Sequence, residues 1–135
     1  MSQDPFGNLR QWGTVLELLD QAFQNGEAED CQQGLVRILR YKGNWRLREE
    51  VLKKAGHIQK PKQDLVREVL VILEDDNTYY EVRILASSAL LQLIEKADQA
   101  EELRQEARKV IEKINLTPQP PIFDRAIQSC RECLV

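Results

Sequence analysis

Residues that interrupt helices are scarce in this 135-residue sequence. It contains six glycines and five prolines, and three of the prolines fall together between positions 118 and 121. Sandwiches and barrels of β-strands need frequent turn residues between short strands. The scarcity therefore favours helices, and the hydrophobic fraction of 42% and charged fraction of 30% fit one folded domain over residues 1–135.

Long apolar runs are absent as well. The longest run, Val69 to Leu73, is far shorter than the roughly eighteen residues of a membrane span. The N-terminus has neither a basic start nor an apolar stretch, so we expect no secretory signal. The three cysteines are an odd number, which is typical of free thiols in a reducing compartment. We therefore expect a cytoplasmic protein with no membrane contact.

Residues and motifs that support catalysis are also few. The single histidine, His57, lacks a cluster of catalytic partners, and the sequence has no phosphate-binding, dinucleotide-binding or zinc-protease motif. Cys130 and Cys133 have the spacing of a redox or metal pair, but zinc needs about four ligands, and Cys31 and His57 lie far away in sequence. Because positions i and i+3 share a helix face, two buried thiols facing the previous helix also explain the spacing. We expect no enzyme activity, no cofactor and no metal.

Apolar residues instead recur at helical spacing along most of the chain, which predicts seven helices joined by short turns. A first stripe that includes Trp12 and Phe23 ends at Asn25-Gly26. Asn44 is expected to cap the third helix and Thr78 the fifth. The fifth helix is apolar around most of its circumference, so neighbours should enclose it on several sides.

The helices form pairs that repeat. Residues 35–39 align with residues 69–73 after a shift of 34 positions, and Leu47-Arg48 aligns with Val82-Arg83 after a shift of 35. A looser third copy begins at Val110. Such periodicity predicts a helical solenoid, in which each pair buries its apolar face on the next. The expected boundaries are a capping helix at 9–26 and repeats at 27–59, 62–96 and 98–134.

The second copy resembles a HEAT repeat in detail. Residues 69–76, an apolar helix with an acidic turn, precede Val82-Arg83 and a run of small residues. The resemblance covers roughly residues 27–134 and implies an all-α, right-handed α-α superhelix, a HEAT-like solenoid of about seven helices. It also implies structural roles for Arg48 and Arg83, which would reach acidic or carbonyl groups in neighbouring turns, with Asp75 and Asp76 as candidate acids. In such folds the second helices of the repeats line a concave face that binds partners.

The charge is unevenly distributed along the chain. Residues 35–62 carry nine bases and two acids, a net charge of +7, in a chain whose net charge is −3 and whose pI is near 5.3. We call the nine bases the basic band: Arg37, Arg40, Lys42, Arg46, Arg48, Lys53, Lys54, Lys60 and Lys62, with Tyr41 and Trp45 between them. Basic side chains can bind phosphates, and aromatic side chains between them can stack on nucleobases. An acidic protein patch, nucleic acid and ordinary solvated surface all stay open as interpretations, although nucleic-acid modules are usually basic overall.

The leading hypothesis is a non-catalytic binding module or adaptor that recognises another protein. The candidate partner-binding residues come from the third and fifth helices: Trp45, Arg46, Lys53, Lys54, His57, Ile84, Ser88, Leu91 and Gln92. Nucleic-acid binding is the alternative, and an accessory role is a third, because the repeats are similar to those of HEAT-like bilin lyases. The last helix ends in Cys-Leu-Val without a polar cap, so we expect that either another chain covers this end or the molecule forms a homodimer through this helix.

Overall fold

The computed structural model describes residues 4–134, and over that range the chain is helical without strands. The expected all-α class with seven helices is confirmed. The α-helices are α1 (Trp12–Gln24), α2 (Gln32–Arg40), α3 (Trp45–Ala55), α4 (Gln63–Glu74), α5 (Tyr80–Ile94), α6 (Ala100–Ile114) and α7 (Pro121–Cys133), and a 3-10 turn (Ala28–Cys31) precedes α2. Expectations that concern residues 1–3 and Val135 lie outside the described residues.

Local signals account for some helix ends. Asn44 caps α3, because its side chain accepts a 2.9 Å hydrogen bond from the Arg46 amide. Gly26, with φ of +72°, follows the end of α1. The prediction that Thr78 caps α5 is wrong. Its hydroxyl instead donates to the Asp75 carboxylate over 2.8 Å, and the N-cap residue of α5 is Tyr79, whose side chain makes no cap hydrogen bond.

The helices form two rows. In the first row α2, α4 and α6 contact one another in that order, and in the second row α1, α3, α5 and α7 do so. Consecutive helices also pack across the rows as the pairs α2–α3, α4–α5 and α6–α7. Helix α5 contacts α3, α4, α6 and α7, which confirms that neighbours enclose this apolar helix on several sides.

The second-row helices begin at the same edge of the molecule. The Trp45 and Tyr79 rings, at the starts of α3 and α5, have centroids 6.1 Å apart, and the Tyr80 and Phe123 rings are 5.1 Å apart at the starts of α5 and α7. At the opposite edge Lys96, just after α5, donates to the Gly56 carbonyl after α3. This arrangement places turn residues that are distant in sequence side by side.

The two outermost second-row helices bury less than α5 does. Helix α1 buries Val15, Leu19 and Ala22, while Trp12 is 51% exposed, so the predicted stripe is wrong at its first turn. Helix α1 packs mainly against α3 and the 3-10 turn, which explains the incomplete cover. In α7 Cys130 is buried but Cys133 is exposed, so the prediction of two buried thiols is wrong for Cys133.

The N-terminal segment, Asp4 to Leu9, packs against α2. The Phe6 ring is 1% exposed and lies beside Gly34, where a Cβ would come within 2.7 Å of the ring. Arg37 donates to both carboxylate oxygens of Asp4, over 2.5 and 2.9 Å, and to the Gly7 carbonyl over 2.8 Å. These contacts hold an extended segment against the first helix of the first row.

Candidate functional site

Two buried arginines each connect the two helices of one pair, Arg48 in α2–α3 and Arg83 in α4–α5. Arg48 Nε donates to the Leu39 carbonyl over 2.9 Å, and Arg83 Nε donates to the Leu73 carbonyl over the same distance. Both carbonyls belong to the last turn of a first-row helix, where backbone acceptors have no partner within the helix. Burial lowers the pKa of each guanidinium, although nearby carboxylates oppose this. The arginines therefore organise the inter-helix turns rather than present charge to a partner.

The acidic turn between α4 and α5 has two different carboxylates. Asp75 accepts from the Asn77 amide over 2.9 Å and from the Thr78 hydroxyl, and these hydrogen bonds lower its pKa. Asp76 is 92% exposed and lies 3.8 Å from Arg83 Nη2. Asp75 thus shapes the turn, whereas Asp76 supplies a solvent-screened charge near the buried guanidinium.

Aromatic rings complete the surroundings of Arg83. Its guanidinium carbon lies 4.3 Å from the Phe123 ring centroid and 5.4 Å from that of Tyr80. Its Nη2 makes no hydrogen bond, so these ring contacts supply part of the compensation for a desolvated cation. The sequence pattern gives no sign of this contact, because Arg83 and Phe123 lie 40 positions apart on different helices.

An open apolar groove lies between α3 and α5, with a volume of 780 Å³. We call it the α3–α5 groove, and its lining residues are Trp45, Glu49, Lys53, Tyr79, Glu81, Val82, Ile84 and Leu85. Trp45 is 43% exposed and Tyr79 is 64% exposed, and their rings meet edge to face at 67°. Large aromatic side chains exposed over an apolar floor are typical of surfaces that bind other proteins.

The predicted partner-binding residues are only partly brought together. Trp45, Lys53 and Ile84 line the groove, and the Arg46 guanidinium lies 5.7 Å from the Trp45 ring centroid. The remaining five lie outside its lining: Lys54 pairs with Asp20 over 3.1 Å, His57 is exposed after the end of α3, and Ser88, partly buried Leu91 and Gln92 follow along α5.

Five lining residues were not among the predicted partner-binding residues: Glu49, Tyr79, Glu81, Val82 and Leu85. The available signal was the adjacent pair Tyr79-Tyr80, two large aromatic residues directly after a polar turn. This pair indicates a groove only together with α3, because the Tyr79 ring forms the groove by packing against the Trp45 ring.

Much of the basic band is neutralised by carboxylates of the same chain. The ion pairs are Arg37 with Asp4 at 2.5 Å, Arg40 with Glu68 at 3.1 Å, Lys53 with Glu49 at 2.8 Å and Lys54 with Asp20 at 3.1 Å. Arg48 is buried. Within residues 4–134 this leaves Lys42, Arg46, Lys60 and Lys62 without ion pairs, so the band is not one continuous cationic surface.

A second apolar cavity of 660 Å³ lies between α6 and α7. Arg108 donates to the Leu134 carbonyl there over 2.6 Å, and both residues line the cavity. The outer residues of α7 are mostly polar: Asp124, Arg125, Ser129, Arg131 and Glu132 are exposed. The expected homodimer through this helix stays a prediction.

The thiols differ in accessibility. Burial raises the pKa of Cys130 to about 11, and its thiol donates to the Ser87 carbonyl over 3.7 Å. Burial also raises the pKa of Cys31. Within residues 4–134 no group of three or more histidine, cysteine or acidic residues could hold a metal ion, and no helix is long and apolar enough to cross a membrane.

Comparison of the chain with protein-family models, with curated proteins and with solved structures gives no match. The interpretation of the groove therefore depends on its own geometry.

Proposed function

We propose that the chain is a non-catalytic protein-binding module that receives its partner in the α3–α5 groove. The observation that carries the proposal is the pair of exposed rings, Trp45 and Tyr79, beside the partly buried apolar residues Ile84 and Leu85. Tryptophan and tyrosine dominate the binding energy of protein interfaces because they bury large apolar areas at low entropic cost.

We further propose that the two rows form a right-handed HEAT-like superhelix whose second-row helices line the concave face. The equivalent hydrogen bonds of Arg48 and Arg83 support this, because a structural repeat should reproduce its contacts along with its sequence. A cytoplasmic location belongs to the same proposal, and the three free thiols support it.

Site-specific photo-crosslinking in the native cell tests the function. A photoreactive residue at Lys53, which lines the groove, should capture one predominant protein, whereas the same residue at exposed Gln105 of α6 should not. Trp45→Ala should reduce capture from position 53 without changing the helical circular dichroism. Equal capture from both positions would contradict the proposal. Recovery of nucleic acid instead of protein would favour the basic band as the binding surface.

A further inference from the structure

We propose that the α3–α5 groove receives a short amphipathic helix with an apolar residue and, one helical turn away, an arginine or lysine. This inference rests on the proposed function and specifies the chemistry of the partner. Three features of the groove carry it: its length, its apolar surface and its unbalanced charge.

The length of the groove suits about two turns of helix. Its α3 side is formed by Trp45, Glu49 and Lys53, which are successive residues of one helical stripe. The eight steps from Trp45 to Lys53, at about 1.5 Å each, give a length of roughly 12 Å. The two rings line the groove at the starts of α3 and α5, and Lys53 is the last residue of α3 in its lining.

The apolar surface provides a place for one inserted side chain. The Trp45 and Tyr79 rings stand at 67° to each other with centroids 6.1 Å apart, so they form two walls of a wedge. The partly buried residues Ile84 and Leu85 provide aliphatic surface beside the rings. A leucine or phenylalanine of the partner would bury apolar area on both walls, as anchor residues do in helix-in-groove complexes.

The charge of the groove favours a basic partner. The lining contains two carboxylates, Glu49 and Glu81, and one ammonium, that of Lys53. Lys53 is already compensated by Glu49 at 2.8 Å and by Glu50 at 3.7 Å. Glu81 is exposed and has no ion pair within residues 4–134. An arginine or lysine would complete a pair with Glu81, whereas an acidic residue would meet repulsion.

The aromatic rings add to this preference. The Arg46 guanidinium, 5.7 Å from the Trp45 centroid, shows that the ring accepts a cation from this chain, and Arg46 is outside the lining of the groove. Tyr79 is the more exposed of the two rings. Its electron-rich face therefore offers a second attraction for a guanidinium or ammonium that approaches Glu81.

Peptide titration tests the inference directly. Trp12→Phe leaves Trp45 as the only tryptophan of the chain, so its fluorescence reports occupation of the groove. Three helical peptides of about fourteen residues would be titrated: one with a leucine stripe and flanking arginines, one with glutamates in place of the arginines, and one with alanines in place of the leucines. We expect the leucine–arginine peptide to bind at least about tenfold more tightly than either of the others.

Charge reversal at Glu81 provides the matched variant. Glu81→Lys should weaken the leucine–arginine peptide by about tenfold and strengthen the leucine–glutamate peptide. Glu132→Lys, at an exposed glutamate of α7 outside the groove, makes the same change in net charge and should leave both affinities unchanged. Circular dichroism of both variants would confirm that they remain folded.

The outcomes separate the inference from the proposed function. Equal binding of the arginine and glutamate peptides would overturn the basic partner while supporting an apolar docking groove. Tighter binding of the glutamate peptide would overturn it in favour of an acidic partner. If the alanine–arginine peptide binds as tightly as the leucine–arginine peptide, surface charge alone explains the binding. That result would overturn the insertion of an apolar side chain between the rings. Absence of binding by all three peptides would overturn the inference, and the crosslinking at position 53 would then decide the proposed function separately.

Discussion

Arg48 and Arg83 stand 35 positions apart in the sequence and make the same contact in the structure, a 2.9 Å hydrogen bond from Nε to a carbonyl of the preceding first-row helix. The two arginines differ in burial and in their aromatic neighbours. Arg83 is 1% exposed and Arg48 is 8% exposed, and of the two only Arg83 lies beside aromatic rings. The difference follows from the next second-row helix, which brings Phe123 to Arg83.

Removing Arg83 should therefore be the most destabilising single change at the inter-helix turns. Arg83→Ala leaves a cavity beside Phe123 and an unpaired Leu73 carbonyl, so we expect a loss of about 3 kcal/mol in the free energy of unfolding. Arg48→Ala should cost less, because the side chain lies nearer the solvent. Urea unfolding followed by circular dichroism measures both. Arg125→Ala, at an exposed arginine of α7, is the control and should change stability little. A smaller loss for Arg83→Ala than for Arg48→Ala would contradict the expectation.

The two helical glycines Gly34 and Gly13 should respond oppositely to alanine. At Gly34 a Cβ would come within 2.7 Å of the Phe6 ring and 2.9 Å of an Asp4 oxygen, so Gly34→Ala should cost about 1–3 kcal/mol by displacing the N-terminal segment. At Gly13 of α1 a Cβ meets no atom within 4 Å, so Gly13→Ala should stabilise by roughly 0.5 kcal/mol. Thermal unfolding of the two variants provides the comparison.

Combining Gly34→Ala with Phe6→Ala tests the cause of that loss. If the added methyl acts by displacing Phe6, the double variant should be less destabilised than the sum of the two single variants. Additive losses would show that the cost of Gly34→Ala arises elsewhere in α2.

Acid should weaken the contact between Asp4 and Arg37. The hydrogen bond from Arg37 holds the pKa of Asp4 below its ordinary value of 3.8. A carboxyl whose pKa is lower in the folded chain stabilises it fully at neutral pH, and this contribution is lost as the pH falls through the folded pKa. Asp4→Asn should cost about 1 kcal/mol at neutral pH, a small value because Arg37 is half-exposed and screened by solvent. The difference from the wild type should shrink as the pH falls below 3.8 and vanish once Asp4 is protonated in the folded chain as well.

Urea unfolding across that pH range measures the effect. Asp98→Asn, at an exposed aspartate, serves as the control and should follow the wild type throughout. If the difference in unfolding free energy between Asp4→Asn and the wild type persists unchanged in acid, the carboxylate charge of Asp4 does not cause the stability loss.

Charge reversal in the basic band should affect stability through pairs within the chain. Lys53 pairs with Glu49 and Lys54 with Asp20, so changing both lysines to glutamate places like charges at these contacts. The melting temperature should fall at low salt and recover at high salt because these groups are exposed to counterions. Changing both lysines to glutamine should have a smaller effect. A melting temperature of the double glutamate variant equal to that of the wild type at low salt would show that the pairs do not form in solution.

The three cysteines should react in a fixed order with a maleimide. Cys133 is exposed, whereas Cys130 and Cys31 are buried with raised pKa values, that of Cys130 to about 11. Since the thiolate is the reactive form, native protein at neutral pH should label at Cys133 within the time that leaves the others unmodified. Peptide mass spectrometry after partial labelling identifies the sites. Cys133→Ser should then leave the native protein almost unlabelled, and rapid labelling of Cys130 in that variant would contradict the packing described.

The all-helical class, the number of helices, the cap at Asn44 and the apolar character of α5 can all be read from the amino-acid sequence. These features depend on spacing of about 3.6 residues and on hydrogen bonds between close neighbours, which can be read over a few turns of chain. The sequence also singled out Arg48 and Arg83 as equivalent positions. The failures were local as well: Thr78 turned its hydroxyl to Asp75 instead of capping α5.

Contacts between residues that are distant in sequence become visible in the folded chain alone. Trp45 and Tyr79 form the α3–α5 groove because α3 and α5 lie side by side and begin at the same edge. The same packing brings Phe123 to Arg83, Phe6 to Gly34 and Asp20 to Lys54. Helical periodicity specifies which face of a helix is buried, but the relative placement of two helices depends on side-chain packing along their whole length, which no short stretch of sequence contains.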